Sequence, residues 1–232
     1  MAIRAANATN PQNHRRETKR SHQIVTYLSC RAILFDLDGV LADSRRVVEG
    51  VWKKWGALKG IDPAPFLAIA HGRRTSEILR AVAPHLDIAA ETARLDRMEE
   101  FETEGLVPIP GARDFVASLP DGRWGVVTSG HRKCAEFRLR HVGIRIPRVF
   151  ITGDMVKRGK PDPEGYLTGA ERLGFPPADV VVFEDAPPGL AAARAAGMRV
   201  VGVLTTHPAE ALSGTELTIQ DLRVRPVRLQ IS

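Results

Sequence analysis

The sequence predicts a doubly wound α/β fold, a parallel sheet covered by helices on both faces, with an all-helical segment inserted after the first strand. Short Val/Ile-rich runs without a polar face recur along the chain, and helix-like segments alternate with them. One long interval breaks that alternation and carries helical periodicity alone.

The predicted strands are "RAILFDLDG" near 31–39, "RWGVVTSG" near 123–130, "RVFITGD" near 148–154, "DVVVFED" near 179–185 and "RVVGVL" near 199–204. Between them lie "HRKCAEFRLRHVG", "PEGYLTGAERLGF" and "PPGLAAARAAGM", each with helical spacing and a glycine near its end, where a left-handed C-cap residue is needed. In the long interval Val47, Val48, Val51, Trp52, Trp55 and Leu58 fall along one helical face, and Leu95, Met98 and Phe101 recur at helical spacing later. These stripes read as core packing. The domain expectation is a disordered basic tail over 1–29, an α/β core over 30–44 and 108–232, and a helical subdomain over 45–107.

At 232 residues, 44% hydrophobic and 26% charged, the composition is that of a globular protein with a proper core. The net charge of +6 is mostly a tail effect: residues 1–30 hold Arg4, Arg15, Arg16, Lys19 and Arg20 against Glu17, and the remaining 202 residues are nearly balanced. No aromatic residues interleave with those cations except Tyr27, so no base-stacking surface and no nucleic-acid partner are expected. Two cysteines, Cys30 and Cys134, show no CxxC or metal-ligand spacing and read as free thiols of a reducing cytoplasm. No secretory signal and no run approaching the ~18 apolar residues of a membrane span is evident, so no membrane association is expected.

Functional groups of an open parallel sheet gather beyond the carboxyl ends of its strands. The first run ends in Asp36 and Asp38, two positions apart and so on the same side of extended backbone. The second ends in Thr128 and Ser129, the fourth in Glu184 and Asp185, and "KRGKPDP" offers Lys160. If these tips converge, so many carboxylates cannot stay ionised together without a cation. The candidate ligands are all oxygens, which favours Mg²⁺ over zinc, and Mg²⁺ commonly pairs carboxylates with a substrate phosphate. Lys160 and the metal would offset phosphate charge, Thr128 and nearby backbone N–H groups would donate hydrogen bonds, and Asp36 and Asp38 would divide nucleophilic and proton-transfer work.

"FDLDGVLADS", "VVTSG", "KRGKPDP" and "VVFEDAPPG" together resemble the four ordered motifs of the haloacid dehalogenase superfamily, over roughly residues 31–205. The resemblance implies a Rossmann-like core and Asp36 as a nucleophile forming an aspartyl-phosphate. It implies Asp38 as the acid/base that also binds metal through its backbone carbonyl. Thr128 and Lys160 would hold the phosphoryl group with Ser129 and Gly130 nearby, and Asp185, with Glu184, would complete the Mg²⁺ site. Relatives that cleave other bonds usually lack the second aspartate of the first motif, so Asp38 points to phosphate esters.

The helical insertion resembles the small cap of the phosphoglycolate phosphatase and β-phosphoglucomutase branch. Within that branch the core motifs look most like sugar and polyol phosphatases, the group of 2-deoxyglucose-6-phosphatases, glycerol-3-phosphatases and hexitol phosphatases. "HGRRTSEILR" and "ETEGLVPIPG" in the insertion place His71, Arg73, Arg74 and Glu104 as candidate substrate contacts, against the plainer reading of Arg73 and Arg74 as a solvated helix start. The acidic run "RMEEFETE" reads as a wet helix face. The expected partner is a small phosphorylated metabolite, and the expected state a monomer or weak homodimer. The rival reading is a phosphomutase of the β-phosphoglucomutase type. "GDMVKRGK" fails as a phosphate loop because its glycine spacing is wrong and Pro161 stands where Ser or Thr must bind Mg²⁺, and no GxSxG or HExxH is present.

Overall fold

The computed structural model describes residues 27–230. In chain order the elements are β1 (Leu28–Cys30), β2 (Ala32–Phe35), β3 (Ala42–Asp43), α1 (Arg45–Lys59), α2 (Ala64–Leu67), α3 (Thr75–Val82), α4 (Ile88–Glu99) and β4 (Val107–Pro108). They continue with α5 (Ala112–Ala117), β5 (Trp124–Val127), α6 (Arg132–His141), β6 (Val149–Ile151), α7 (Glu164–Leu173), β7 (Val180–Glu184), α8 (Pro187–Ala195), β8 (Arg199–Val203), β9 (Leu217–Ile219) and β10 (Val227–Leu229).

Six strands form one parallel sheet in the order β6-β5-β2-β7-β8-β9. The chain winds outward from β2 through β5 to β6, then crosses back to β7 on the other side of β2. The reversal therefore sits at β2, which is where an open sheet leaves a crevice beyond its strand ends. All five predicted strands belong to this sheet.

Because side chains alternate across a strand, the apolar runs feed two separate cores. Ile33, Phe35, Trp124, Val126, Val181 and Phe183 pack with Phe115 of α5 and Leu139 of α6. Ala32, Leu34, Val127, Ile151, Val180 and Val182 pack with Tyr166 and Ala170 of α7 and Leu190 of α8. A Cβ on Gly169 would stand 2.9 Å from Leu34 Cδ1, so glycine is what lets α7 lie this close to the sheet.

The helices α1 to α4 have a core of their own, in which Val51, Trp52, Trp55, Phe66, Ile78, Leu79 and Leu95 are buried. Trp52 stacks on Phe66 with ring centroids 5.1 Å apart, and Trp55 meets the same ring edge-on at 5.2 Å. Each such pair contributes about 0.5–1.5 kcal/mol beyond its area burial. Asp87 caps α4 by accepting from the Ala90 N–H at 3.0 Å. Among the described residues no helix is long and apolar enough to cross a membrane.

Several expectations need correction. Leu58 is 70% exposed and Phe101 68% exposed: the last turn of α1 runs past the helical core, and Phe101 lies beyond the end of α4, edge-on to Phe137. The disordered tail does not extend to 29, since Leu28 and Ser29 pair in parallel with Val227 and Arg228; the rest of that expectation, residues 1–26, lies outside the described residues. The interval after β2 is not wholly helical either. β3 and β4 pair antiparallel, Ala42 opposite Pro108, so the chain leaves for the helices and returns from them side by side.

Candidate active site

Every core-motif side chain singled out in the sequence reaches the carboxyl edge of the sheet around β2. Asp36 follows β2, Thr128 follows β5, Glu184 ends β7 with Asp185 next, and Lys160 comes from the loop between β6 and α7. Asp36, Thr128, Lys160, Glu184 and Asp185 are all buried. The turn after Asp36 is closed by the Gly39 N–H donating to the Ala42 carbonyl at 2.7 Å. Gly39 has φ +81°, and a Cβ there would stand 2.0 Å from Asp185 Oδ2, so both its conformation and its contact exclude a side chain.

Carboxylate oxygens of Asp36, Glu184 and Asp185 lie within 4.8 Å of one another. Lys160 Nζ stands 2.9 Å from Asp36 Oδ1, at ion-pair distance but without hydrogen-bond alignment, and donates to Glu184 Oε1 at 2.7 Å. Glu184 is fully satisfied. Its Oε1 also accepts from the Tyr166 hydroxyl at 2.9 Å, and its Oε2 accepts from the Asp185 and Ala186 N–H groups at 2.9 and 3.1 Å. The Asp185 Oδ2 accepts from the Thr206 hydroxyl, while its Oδ1 is buried with no hydrogen-bond partner.

One ammonium thus faces three buried carboxylates, and the electrostatics follow. Burial, reinforced by Glu184 and Asp38 and opposed by Lys160, pushes Asp36 up to about 7. Burial first, then Glu184 and Asp36, raises Asp185 well above the usual carboxylate range. Burial works against the charge of Lys160, but Asp36 and Glu184 outweigh it and hold the amine protonated. An excess of buried acid with an orphaned carboxylate oxygen is a fit for a cation held by Asp36 and Asp185. Glu184, expected among the ligands, has both oxygens committed to protein donors.

The edge opens into a cavity of about 380 Å³ between the sheet and the helical segment. Asp36, Asp38, Asp185, Thr128, Ser129 and Gly130 line it from the sheet. Thr128 Oγ1 accepts from the Gly130 N–H at 3.1 Å, which leaves the hydroxyl proton free to point elsewhere, whereas the Ser129 hydroxyl donates to the Gly72 carbonyl at 2.9 Å and so ties the two sides together.

Of the residues expected from the helical segment, His71, Arg73 and Arg74 line the cavity and Glu104 does not. Glu104 is exposed on the chain leaving α4, where its backbone N–H donates to Glu102. Arg74 is neither a solvated helix start nor free for a ligand: its guanidinium binds Glu77 and the carbonyls of Gly153, Val156 and Lys157. Burial, then His207 and Arg45, lowers His71, which lies edge-on to His207 with centroids 6.1 Å apart.

Two groups escaped sequence reasoning. Thr206, which holds Asp185, sits just past the tip of β8 in "GVLTTH", so the rule of inspecting strand ends would have found it. Arg138 of α6 is buried and donates to Asp38 Oδ1 at 2.7 Å and to Glu99 Oε1 at 2.8 Å. The acidic run is therefore not merely a wet face, because Glu99 is an inward partner.

Comparison with known proteins agrees with this geometry. The family model described as haloacid dehalogenase-like hydrolase matches residues 30–197. Hexitol phosphatase A of Escherichia coli (strain K12) is 40% identical over 200 residues, covering 84% of this chain and 93% of that one. Glycerol-1-phosphate phosphohydrolase 2 of Saccharomyces cerevisiae is 37% identical over 191 residues, covering 77% and 76%. Among solved structures, CbbY from Rhodobacter sphaeroides in complex with phosphate superposes with a TM-score of 0.71 at 26% identity, over 83% of this chain and 95% of that one. With its four motifs converging on one sheet edge and the family model spanning them, the chain belongs to the haloacid dehalogenase-like hydrolases.

Proposed function

We propose that this protein is a Mg²⁺-dependent phosphatase that hydrolyses a small phosphomonoester of a sugar or polyol through an aspartyl-phosphate on Asp36. The observation that carries the reading is the meeting of Asp36 and Asp185 at the wall of one cavity, with the buried Lys160 ammonium 2.9 Å from Asp36 Oδ1. The names of the E. coli and yeast relatives support the substrate class, and so does a cavity near the small end of the usual ~300–1,000 Å³ range for ligand sites.

In this reading an Asp36 carboxylate oxygen attacks phosphorus, the bond from phosphorus to the ester oxygen breaks, and Asp38 gives its proton to the departing alkoxide. Asp38, now ionised, takes a proton from the water that attacks the phosphoryl group, and the bond to Asp36 breaks to release inorganic phosphate. Lys160 and Thr128 hold the phosphoryl oxygens, and Glu184 fixes the ammonium of Lys160. Asp36, Asp185 and the Asp38 backbone carbonyl would hold Mg²⁺, a hard cation suited to an all-oxygen donor set. When bound, it offsets negative charge on the phosphoryl oxygens. Residues 45–107 serve as a cap over the core of 28–44 and 108–232, with His71 and Arg73 offered to the substrate and Arg74 securing the cap to the core.

A panel of phosphorylated sugars, polyols and glycolate, assayed for inorganic phosphate, tests this. Release from a sugar or polyol ester is expected with Mg²⁺, to be stopped by EDTA and absent in Asp36→Asn. Full turnover by Asp36→Asn overturns the mechanism, and isomerised sugar without phosphate release overturns hydrolysis in favour of a phosphomutase.

A further inference from the structure

We infer that Arg138 is a positioning residue for Asp38, and that through Glu99 it makes the placement of that proton carrier depend on the seating of helix α4. The inference rests on the reading of Asp38 as the group that protonates the leaving alkoxide.

Arg138 comes from α6, Asp38 from the turn after β2 and Glu99 from the last position of α4. The Arg138 side chain is 4% exposed, and its two terminal nitrogens split between the two carboxylates, Nη1 to Asp38 and Nη2 to Glu99. All three residues line the cavity. The Arg138 Nε is buried without a partner, so the guanidinium forgoes one hydrogen bond to keep both carboxylates in reach.

Stability alone explains this poorly, because buried ion triads are often replaced by packed apolar side chains with no loss. What the fork does achieve is directional. With Oδ1 of Asp38 engaged, Oδ2 is the oxygen left to give and take a proton, and a planar guanidinium anchored at two points holds that carboxylate at a fixed angle. The second anchor is the helical segment. Were α4 to lift, Glu99 would leave Arg138, and Asp38 would be held from one side only.

A lysine at 138 keeps the charge but cannot bridge two carboxylates with a planar fork. The test compares an alkyl ester, glycerol phosphate, with 4-nitrophenyl phosphate, whose leaving group departs without protonation. In Arg138→Lys, kcat/KM, which reports the steps up to departure of the leaving group and omits the water attack common to both esters, is expected to fall by roughly 10²-fold for glycerol phosphate and by less than about 10-fold for 4-nitrophenyl phosphate, the scale of general acid catalysis. Glu99→Gln, which keeps an acceptor and loses the charge, should show the same preference at smaller size. Equal losses on the two esters in both variants, or no loss in either, overturn the assignment; a selective loss in Arg138→Lys with none in Glu99→Gln overturns the link to α4. If wild type with Mg²⁺ releases phosphate from no ester of the sugar and polyol panel, the phosphatase reading falls and this assignment with it; if the panel gives an active alkyl ester other than glycerol phosphate, that ester takes its place in the comparison.

Discussion

Lys160 Nζ donates to Glu184 Oε1 across 2.7 Å, and neither side chain is more than 6% exposed. The pair is a mount: Glu184, gripped by Tyr166 and two backbone N–H groups, holds the ammonium where it also faces Asp36. Removing either member should therefore have different consequences. Lys160→Met leaves buried acids without their counter-ion and is expected to cost about 3–5 kcal/mol in metal-free urea unfolding. Glu184→Gln keeps a carbonyl oxygen for Lys160 and should cost less stability, while lowering phosphate release by about 10-fold or more as the ammonium loses its fixed place. Similar unfolding midpoints for the two variants would contradict the mount.

Two glycines are expected to respond in opposite directions to alanine. A Cβ on Gly189 would stand 1.5 Å from Glu184 Oε1, a distance that only displacement of Glu184 can relieve, so Gly189→Ala should lose both phosphate release and about 1–3 kcal/mol of stability. Gly50 lies inside α1 with nothing within 4 Å of its would-be Cβ. Gly50→Ala should stabilise the protein by about 0.5–1 kcal/mol by reducing the freedom of the unfolded chain, with activity unchanged. Thermal unfolding of both variants beside wild type checks the contrast.

The acid cluster at the sheet edge was legible in the sequence because buried parallel strands carry uninterrupted apolar runs, and the polar residue that ends such a run is conspicuous. Asp36, Thr128, Glu184 and Asp185 each stand at one of those ends. Arg138 was not legible. It sits in "RKCAEFRLRH", where every cation has the same local signature, and only tertiary contact with Asp38 and Glu99 decides which one is buried. Glu104 and Arg74 were misplaced for the related reason that the direction of a side chain on a turn depends on how the helices seat against the core. β3 and β4, two residues each, are too short to show any period.

In the absence of metal, stability should fall as pH rises from 5 to 8. Burial raises Asp36 from an ordinary 3.8 to about 7, and Asp185 is raised as well, so between those limits the native state binds more protons than the unfolded chain does. Unfolding free energy then decreases with pH, because its slope follows the protons bound by the unfolded state minus those bound by the native state. The contribution is complete below about pH 4 and is lost as pH climbs through 7. Thermal midpoints in EDTA should show this decline, Asp36→Asn should flatten part of it, and added Mg²⁺ should raise the midpoint more at pH 8 than at pH 5. A midpoint in EDTA that rises over that interval would contradict the charge balance.

Arg74 is expected to act on the seating of the helical segment against the sheet edge and to have no part in ligand charge. Its guanidinium is shared between Glu77 of α3 and three carbonyls of the chain following β6, Gly153, Val156 and Lys157, so it spans the helical segment and the sheet edge with its donors already used. Arg74→Met keeps much of the stem volume and removes those bonds, and about 1–3 kcal/mol of local stability should go with the unsatisfied carbonyls. Amide exchange in α3 and in residues 153–157 should quicken, while the protection of β2, β5 and β7 stays as in wild type. If Arg74 instead held substrate charge, the variant would raise KM for phosphate esters and leave exchange in both segments unaltered. Measuring exchange and KM on the same sample separates a latch from a ligand contact.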